Sequence, residues 1–482
     1  MNSTDTFKLS DVSKIFDNGY SEKTAFCDLA RGNTISYGEA CSLVTKTALK
    51  IKNSLEGPGN NILLFLESGL SFVIGFYGIL LSGNFPILVN NKLKGELERL
   101  QNLYGCVITD ETNCINLKSF TDTENKKIIM IDLKPGNSTD NFDFPGIVNA
   151  GDRMLYLFTS GSTGTPKIVQ KTWSNIMAEI YFLKDLLGIS EEDTFLPLVP
   201  TFHIYGLLFS IILPLFTGAE TRIDIPFSPL NILEDGIRKD ATIIIGNPAL
   251  YSAVSGFIDR YKKSEFAHVK YCISSTMALD NRVAVQFYRL LGIKILEIYG
   301  STETGGIAYR NPFHNRYWKF FPYVHRRSDS ETSELEVASP AVSLTSSDSK
   351  NGKEKNWYST GDAVEVTNGK DEFVLIGRIN QIIKTGGNRV SAVEVENVIK
   401  ECSVVQNAVV KGVPSITLRG ESIVAYVVPA DKEHRNIALQ VKEYCHTKLP
   451  GFKIPRAFII LESLPVGANG KILYSKLPEV KV

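Results

Sequence analysis

Short apolar runs recur along this chain, separated by polar stretches and by amphipathic stretches of helical length. Residues 62–66, 71–81 and 85–89 are strongly apolar, and the glycines and polar residues between them break the pattern. Their lengths predict a strand, a helix and a second strand, which together make a βαβ unit. Glu67, Asn84 and Pro86 interrupt this region, whereas a membrane-spanning helix needs about 18 to 20 continuous apolar residues. The pattern therefore predicts an α/β core and no membrane span.

Four other apolar runs stop abruptly at small or polar residues. Runs 155–158, 242–245, 269–273 and 295–298 lead into 159–167, 246–248, 274–276 and 299–303. Such runs, separated by amphipathic stretches such as 172–187, are typical of a mostly parallel sheet. Ligands of these sheets bind at the carboxyl ends of the strands. We therefore expect the four polar clusters to line one cleft, with the alternative that they are ordinary turns.

The first of these clusters has the chemistry of a phosphate-binding loop. Residues 159–167 read TSGSTGTPK, with two glycines, five hydroxyl side chains and a terminal lysine. Glycines let backbone amides approach an anion, hydroxyls donate to phosphate oxygens, and lysine adds a positive charge. The spacing is neither GxxxxGK[ST] nor GxGxxG. P-loop NTPases and ordinary Rossmann dehydrogenases are thereby disfavoured.

Composition narrows the class of protein further. The chain has 482 residues, with 52 basic and 52 acidic side chains and 43% hydrophobic residues. At about 150 residues per domain, this length predicts two to four domains. A zero formal charge lacks the basic excess of a nucleic-acid-binding protein. We therefore expect an ordinary globular protein without a nucleic-acid partner.

The cysteines and the first residues bear on location. Seven cysteines are scattered without a CxxC pair, and the first ten residues lack the basic and apolar regions of a signal peptide. Both observations favour a reduced, cytoplasmic location.

Five motifs then appear in a fixed order. They are TSGSTGTPK at 159–167, YGSTE at 299–303, YSTGD at 358–362, GR at 377–378 with IKTGG at 383–387, and PVGANGK at 465–471. In this order the chain resembles the adenylate-forming superfamily of acyl- and aryl-CoA synthetases, nonribosomal adenylation domains and luciferases. The similarity runs from about residue 20 to 476. Among these enzymes, the chain most resembles stand-alone acyl and aryl acid ligases of the 4-coumarate:CoA ligase type.

The resemblance implies both a fold and a reaction. The fold is α/β: a large N-terminal AMP-binding domain (1–378) with mostly parallel sheets flanked by helices, and a small mobile α+β C-terminal domain (379–482), hinged at Asn380. The reaction is ATP- and Mg²⁺-dependent activation of a carboxylic acid to an acyl adenylate, with release of pyrophosphate. The acyl group then passes to the phosphopantetheine thiol of CoA or of a separate carrier protein. Alternatives are an amide-forming ligase with an amine acceptor and a catalytically silent nucleotide-binding relative; luciferase-like oxygenation rests on fold analogy alone.

The resemblance also implies roles for the nucleotide-binding residues. Glu303 and Thr159 bind Mg²⁺, and Thr302 contacts the α-phosphate. The β- and γ-phosphates are held by the loop residues Thr159, Ser160, Gly161, Ser162, Thr163, Gly164 and Lys167. Tyr299, with Gly300 beside it, offers a ring face to adenine, Asp362 and Arg378 bind the ribose, and Arg389 contacts phosphate.

Two further lysines are implied to act in the C-terminal domain. Lys471 bridges the carboxylate and the α-phosphate during adenylation, with a solvated surface lysine as the alternative. Lys384 to Gly387 line the pantetheine channel. Gly386 occupies a site where some CoA ligases of the superfamily have lysine, and Asn380 replaces the Asp or Lys that is often found at the hinge.

The acid pocket is expected around the sequence FHIYG at 202–206. His203 stands where amino-acid-activating relatives carry an aspartate, so an α-amino acid substrate is disfavoured. His203 and Tyr205 are expected in the gate or wall of the pocket, with a packed core histidine as the alternative. Other pocket candidates at the strand ends are Asn247, Ser274, Ser275 and Thr276.

Local patterns complete the prediction for the C-terminal third. Segments 364–366 and 373–374 flank Asn368-Gly369, which predicts a hairpin that holds Asp362 and Arg378 close together. A helix is predicted over 391–400, and strands over 404–411 and 423–428.

Overall fold

The structure is a computed structural model of the chain. It describes residues 6–8, 20–29, 32–66, 69–89, 94–120, 125–133, 147–149, 152–159, 167–223, 228–237, 240–328, 333–343, 357–367, 371–379, 382–386, 388–415, 420–431, 436–465 and 472–480.

Strands run through the whole described chain. In order they are β1 (Thr6–Lys8), β2 (Thr24–Asp28), β3 (Asn33–Ser36), β4 (Asn61–Leu64), β5 (Phe85–Leu88), β6 (Cys106–Thr109), β7 (Lys127–Met130), β8 (Ile147–Asn149), β9 (Arg153–Thr159), β10 (Lys167–Thr172), β11 (Thr194–Pro197), β12 (Glu220–Ile223), β13 (Ile243–Gly246), β14 (Tyr271–Ser274), β15 (Ile295–Ser301), β16 (Gly305–Arg310), β17 (Trp318–Phe320), β18 (His325–Ser328), β19 (Glu334–Ala338), β20 (Tyr358–Val366), β21 (Glu372–Arg378), β22 (Ile382–Thr385), β23 (Asn388–Ser391), β24 (Val405–Pro414), β25 (Glu421–Pro429) and β26 (Ala457–Ile460).

Helices alternate with these strands. The α-helices are α1 (Tyr37–Ser54), α2 (Gly69–Leu81), α3 (Lys94–Leu100), α4 (Glu111–Phe120), α5 (Trp173–Leu187), α6 (Ile204–Leu207), α7 (Leu213–Thr217), α8 (Pro229–Asn231), α9 (Pro248–Ser255), α10 (Asn281–Gln286), α11 (Ala392–Glu401) and α12 (Ile437–Lys448). Three π-helical turns extend or join them, at Leu208–Ile212, Ile232–Ile237 and Phe287–Leu291. Short 3₁₀ turns lie at Ile258–Arg260, Lys263–Phe266, Gly451–Lys453 and Tyr474–Lys476.

The chain divides into two compact units. The first comprises Met1–Arg316, Phe320–His325 and Ala338–Asn356, and the second comprises Tyr317–Lys319, Arg326–Val337 and Trp357–Val482. The expected boundary at residue 378 is the position of a hinge between two domains, whereas these two units are groups of residues that pack together compactly. The boundary and the hinge at Asn380, which lies outside the described residues, therefore stay predictions.

The first unit contains two large sheets, both mostly parallel. One has the strand order β10-β9-β5-β4-β6-β7, and the other has the order β16-β15-β14-β13-β11-β12-β2-β3 within this unit. In both, the interior strands pair in parallel and the antiparallel pairs lie at the edges. The segments predicted as a βαβ unit form β4, α2 and β5, with β4 and β5 parallel. The α/β class with mostly parallel sheets is confirmed.

The four polar run ends are divided between the two sheets. β13, β14 and β15 are neighbours in one sheet, so the ends at 246–248, 274–276 and 299–303 lie along one edge. β9, which ends at the proposed phosphate loop, pairs with β5 in the other sheet. Three of the four polar clusters thus lie along one parallel edge, and the fourth follows a strand of the other sheet. That the four line one cleft stays a prediction. Sheet membership depends on pairing between distant segments, which the apolar pattern does not encode.

Helix α5 follows the strand that leaves the phosphate loop. Its first turn is capped by Thr172, whose side chain accepts a hydrogen bond from the Asn175 amide at 3.2 Å. Gly188 ends the helix at a φ of 58°, a left-handed conformation that suits glycine. The predicted helix over 172–187 is thus confirmed.

The second unit has its own hydrophobic core. Within it, β18-β19-β20-β21-β17 form one sheet, β24-β25-β26 another, and β22-β23 a hairpin. Helix α11 packs on the β24–β25 pair through apolar side chains that include Val395, Ile399, Val410 and Ile423. The predicted helix and both predicted strands of this region are confirmed, as is the hairpin of β20 and β21.

Two further observations concern the described residues as a whole. No helix among them is long and apolar enough to cross a membrane. All seven cysteines are free thiols in the structure.

Candidate functional site

A tight turn joins β15 to β16 and carries the YGSTE sequence; we call residues 299–304 the motif turn. The two strands are antiparallel, with an irregularity between Tyr299 and Gly300. A Cβ atom added at Gly300 would lie 2.2 Å from the Gly305 carbonyl oxygen. Only glycine therefore allows the two backbones to come this close.

The motif turn is tied internally by its hydroxyl side chains. The Ser301 amide donates to Thr304 Oγ1 at 3.0 Å, and the Thr304 amide donates to Ser301 Oγ at 3.1 Å. These reciprocal bonds close the turn around Thr302 and Glu303, both of which are half-buried. The turn therefore presents a hydroxyl and a carboxylate on a fixed backbone.

Residues distant in the sequence hold this turn from behind. The Glu303 carbonyl accepts hydrogen bonds from the Ser343 amide at 2.7 Å and from Lys171 Nζ at 3.3 Å. Lys171 Nζ also donates to the Ala341 carbonyl at 2.9 Å. At the end of the turn, the Gly306 amide donates to the carboxylate of Glu179. Strand β10 thus contacts the motif turn directly, and helix α5 contacts strand β16 just after the turn.

Lys171 and Glu179 are both buried, at 1% and 3% exposure. Burial lowers the pKa of Lys171 to about 8, although the negative charges of Glu179 and Glu303 act in the opposite direction. Burial likewise raises the pKa of Glu179, opposed by Lys171 and by the Gly306 N–H. Each charge favours the ionised form of the other, which is how buried charges are tolerated.

Sequence reasoning missed both residues, although one signal was present. Glu179 lies three residues after Ile176 and four before Leu183, both buried on the inner face of α5. A carboxylate within the apolar stripe of a helix needs a partner inside the protein. That signal points to Glu179 but not to Lys171, because the partner becomes visible only in three dimensions.

The loop 160–166 lies outside the described residues, but its two ends are defined. Thr159 and Lys167 are cross-strand partners at the end of the antiparallel β9–β10 ladder. β9 and β10 are therefore paired up to the two ends of the TSGSTGTPK sequence. Ser160, Gly161, Ser162, Thr163 and Gly164 lie outside the described residues, as do the side chains of Thr159 and Lys167.

The candidates at the ends of β13 and β14 have varied surroundings. Asn247 caps helix α9 by accepting from the Leu250 amide at 2.9 Å, and Ser275 Oγ donates to the Ile298 carbonyl at 2.8 Å. Ser274 is fully buried, and its hydroxyl has no hydrogen-bond partner among the described residues. Thr276 adopts a φ of 79°, which is rare for a β-branched residue. Their assignment to an acid pocket stays a prediction.

His203 and Tyr205 lie just before and within the first turn of α6. His203 is exposed, and its ring centroid is 4.5 Å from that of Phe202. This exposure argues against a packed core histidine. Tyr205 is buried, with its hydroxyl 2.9 Å from the Gly246 carbonyl and 2.8 Å from the Ile273 carbonyl. Tyr205 therefore bridges the ends of β13 and β14.

In the second unit, the hairpin of β20 and β21 pairs Asp362 with Arg378. The two residues are cross-strand partners, and Arg378 Nε lies 3.0 Å from Asp362 Oδ1. Arg378 Nη1 also donates to the Thr360 carbonyl at 3.0 Å. The Asp362 side chain is 10% exposed and that of Arg378 is 55% exposed. The predicted proximity of the two is confirmed.

The β22–β23 hairpin brings two other candidates together. Lys384 and Arg389 are cross-strand partners, and both are exposed. Side chains of directly opposed residues lie on the same face of a sheet, so this hairpin presents two cations side by side. Gly387 and Lys471 lie outside the described residues.

Two protein-family profiles match this chain. The profile of the family described as "AMP-binding enzyme" matches residues 16–326, more than half of the chain, and that described as "AMP-binding enzyme C-terminal domain" matches 394–471. The chain belongs to the AMP-binding enzyme family. The assignment to the adenylate-forming superfamily made from the motifs is confirmed.

Several curated relatives of this AMP-binding enzyme are named as CoA ligases. The oxalate–CoA ligase of Arabidopsis thaliana is 25% identical, with 67% of this chain and 66% of that protein aligned. The malonate–CoA ligase of Arabidopsis thaliana is 25% identical over 96% of this chain and 88% of that protein. The long-chain-fatty-acid–CoA ligase of Bacillus subtilis is 26% identical over 71% and 64%. The chain thus spans about two thirds of the oxalate and fatty-acid ligases.

Solved structures share the fold across the whole chain. MatB from Rhodopseudomonas palustris with ATP bound superposes with a TM-score of 0.83 at 22% identity, covering 98% of this chain and 97% of that one. MenE from Bacillus subtilis, in complex with ATP and a magnesium ion, has a TM-score of 0.81 at 21% identity, covering 98% and 100%. A large α/β region with a smaller C-terminal part is the architecture they share with this chain.

Proposed function

We propose that this AMP-binding enzyme is an AMP-forming acid–thiol ligase: it activates a carboxylic acid with ATP, releases pyrophosphate and passes the acyl group to a thiol. The observation that carries the proposal is a contact between the strand that follows the first motif and the motif turn. β10, which leaves the phosphate loop at Lys167, reaches the motif turn four residues later, where Lys171 donates to the Glu303 carbonyl at 3.3 Å.

Adenylation of a carboxylate requires the phosphate loop and the motif turn to lie close together. A carboxylate anion must approach the α-phosphorus of ATP, so neutralisation and positioning of the two reactants supply most of the rate enhancement. The hairpin loop between Thr159 and Lys167 holds the β- and γ-phosphates, and Thr302 contacts the α-phosphate. Tyr299 stacks on adenine. Asp362 accepts from the ribose hydroxyls, and Arg378 supports it.

The donor set at the motif turn fits Mg²⁺. Among the described residues there is no group of three or more His, Cys, Asp or Glu side chains that could hold a metal ion. Mg²⁺ that is bound with a nucleotide needs no such cage, because it takes only one or two protein oxygens besides phosphates and water. Glu303, with Thr159, would supply the protein oxygens, and the ion would neutralise phosphate charge.

The thiol acceptor is CoA or the phosphopantetheine of a separate carrier protein, and the relatives named as CoA ligases favour CoA. Lys384 and Arg389 are exposed and lie side by side on the β22–β23 hairpin. This hairpin carries part of the IKTGG sequence, which resembles the thioester-channel motif of the superfamily. An amine acceptor remains the competing reaction. A cytoplasmic location stays a prediction.

The acid is acyl or aryl rather than an α-amino acid. His203 provides no anion for an α-ammonium group, and Asn247, Ser274, Ser275 and Thr276 make the strand ends partly polar. The named relatives act on oxalate, malonate and long-chain fatty acids, so their names do not select one acid. A partly polar acid fits the strand ends best.

A hydroxylamine-trapping screen tests the reaction. Purified protein, ATP and Mg²⁺ are incubated with short, branched, dicarboxylic and aromatic acids, and hydroxamate and pyrophosphate are measured. Acid-dependent formation of both products supports the ligase. A folded sample that releases no pyrophosphate with any acid contradicts it and favours a silent nucleotide-binding protein. With an accepted acid, CoA, carrier protein and amines are then compared as acceptors.

Lys471→Ala separates the two half-reactions. We expect pyrophosphate exchange to be abolished, because Lys471 is proposed to bridge the carboxylate and the α-phosphate. Thioester formation from a supplied acyl adenylate should remain largely intact, since the adenylate already contains the bond between carboxylate and α-phosphate that Lys471 is proposed to help form. Lys476→Ala, a nearby lysine without an assigned role, is the control. Equal loss of both half-reactions argues against this role for Lys471.

A further inference from the structure

Two buried charges, Lys171 and Glu179, contact the motif turn and the strand residue just after it, and neither belongs to any of the five motifs. Lys171 Nζ donates to the Glu303 carbonyl, and Glu179 accepts from the Gly306 amide. One contact is at the centre of the turn and the other is just past its end. Together they fix the backbone of the segment that carries the Glu303 carboxylate.

The packing around Glu179 shows how closely this segment is fitted. A Cβ atom added at Gly305 would lie 2.8 Å from Glu179 Oε2, and one at Gly306 would lie 2.8 Å from Glu179 Oε1. Gly305 itself has a φ of 66°, a conformation that suits glycine. The carboxylate of Glu179 therefore occupies the space that side chains would fill at these two positions.

A second segment is held by the same elements. Lys171 Nζ donates to the Ala341 carbonyl, and Asn175 Nδ2 donates to the Pro340 carbonyl at 2.7 Å and to the Val342 carbonyl at 3.1 Å. The next residue, Ser343, donates its amide to Glu303. Lys171 thus joins segment 340–343 to the motif turn, and three separate parts of the chain meet at one ammonium group.

We propose that Lys171 and Glu179 are positioning residues for the ligase reaction: they fix the motif turn so that the Glu303 carboxylate is held ready for the metal–nucleotide complex. This inference rests on the proposed function, because Glu303 can act as a metal ligand only if the chain binds Mg·ATP. Neither residue touches substrate; each acts through the backbone of the turn.

The alternative is that the pair only stabilises the fold. Two buried opposite charges are weak evidence for net stability, since apolar replacements of both are often tolerated. Lys171→Met keeps the length of the side chain and removes its charge and donors. Glu179→Gln removes the charge but keeps an oxygen that accepts from Gly306. The double variant Lys171→Met/Glu179→Gln leaves no unpaired buried charge, so it keeps the test available if Lys171→Met alone fails to fold.

The matched control is Lys270→Met. Lys270 Nζ lies 2.7 Å from Asp193, whose side chain is fully buried, and both residues belong to the first unit. This substitution removes the lysine partner of a buried carboxylate, although Lys270 itself is 43% exposed, and Lys270 makes no described contact with the motif turn. It therefore reports the cost of losing such a pair without disturbing Glu303.

The decisive measurement is ATP affinity by calorimetry, in Mg²⁺ and in EDTA. We expect Lys171→Met and the double variant to weaken ATP binding about tenfold in Mg²⁺, as losses of groups that orient metal ligands do, and to leave binding in EDTA nearly unchanged. Glu179→Gln should show a smaller effect, and Lys270→Met none. Hydrogen exchange should become faster in peptides covering 299–308 in the Lys171 variants and not in Lys270→Met.

The outcomes separate this proposal from the proposed function. If the wild-type protein binds Mg·ATP but activates no acid, the proposed ligase function is wrong. A Mg²⁺-specific loss of ATP affinity in the variants then still shows whether Lys171 and Glu179 position Glu303. With an active wild type, we expect kcat for adenylation to fall about a hundredfold in the double variant, with an unchanged KM for the acid. Equal affinity loss in Mg²⁺ and EDTA, or a loss matched by Lys270→Met, overturns the positioning role.

Discussion

The motif turn in the first unit and the Asp362–Arg378 pair in the second are both assigned to the nucleotide, yet they are held in different ways. Asp362 and Arg378 are cross-strand partners of one hairpin, and their side chains meet directly. The motif turn depends on Lys171, Glu179 and Ser343, which come from segments far from it in sequence. One arrangement is local and the other is tertiary.

This difference predicts how each region responds to mutation. The hairpin pair is partly exposed at Arg378, so removing its ion pair changes stability by about 1 kcal/mol or less. The motif turn has buried charges and close glycine backbones around it, so a change there disturbs several contacts at once. We therefore expect larger effects in the motif turn.

Glu303→Gln tests whether the motif turn acts in the reaction, and we expect it to have the largest effect. The substitution keeps the size of the side chain and removes the charge that would hold Mg²⁺. We expect kcat for acid-dependent pyrophosphate release to fall about 10²–10³-fold, as for other groups that stabilise charge in a transition state. Steady-state kinetics with an accepted acid measure the change.

The control is Glu192→Gln, at a glutamate whose side chain is 81% exposed. It should keep wild-type kinetics. A Glu303→Gln enzyme within threefold of wild type would contradict the assignment of the motif turn to the metal.

Gly300→Ala tests the structural half of the comparison. The new Cβ would lie 2.2 Å from the Gly305 carbonyl oxygen, so backbone must move. Overpacking of this kind costs about 1–3 kcal/mol, and we expect the upper end because both sides of the turn are held by other contacts. Urea unfolding measures the change in the free energy of unfolding.

Gly361→Ala is the matched substitution in the hairpin. Gly361 has a φ of 73°, but its Cβ would meet only the flexible end of Arg378, at 3.3 Å. The left-handed backbone costs an alanine about 1–2 kcal/mol. If Gly361→Ala destabilises the protein more than Gly300→Ala, the motif turn is not the more constrained region.

The same difference explains what the sequence could predict. That Asp362 and Arg378 share a hairpin was predictable, because Asn-Gly between two strand-like segments is a hairpin signal. The register was not, since a two-residue turn at 368–369 would place Val366 opposite Asp371, whereas the structure pairs Val366 with Phe373. The parallel strands ending at 246, 274 and 301 were predictable from their short apolar runs. The support of the motif turn was not, since Lys171 and Glu303 are joined only after two sheets have formed. Local patterns encode strands and hairpins, but not which distant backbone carbonyl a buried lysine will meet.

Asp362→Asn gives the smallest expected effect and tests whether the hairpin pair acts on the nucleotide at all. Asparagine keeps one acceptor for a ribose hydroxyl and loses the charge that orients Arg378. We expect the KM for ATP to rise about tenfold, equivalent to about 1.4 kcal/mol, while kcat changes little because the ribose is remote from the reacting atoms. Asp371→Asn removes the partner of Arg326 in the same unit and should leave the KM for ATP unchanged. If Asp362→Asn instead lowers kcat at saturating ATP with an unchanged KM, the pair supports the transition state and the division between a local binding pair and a tertiary catalytic turn is lost.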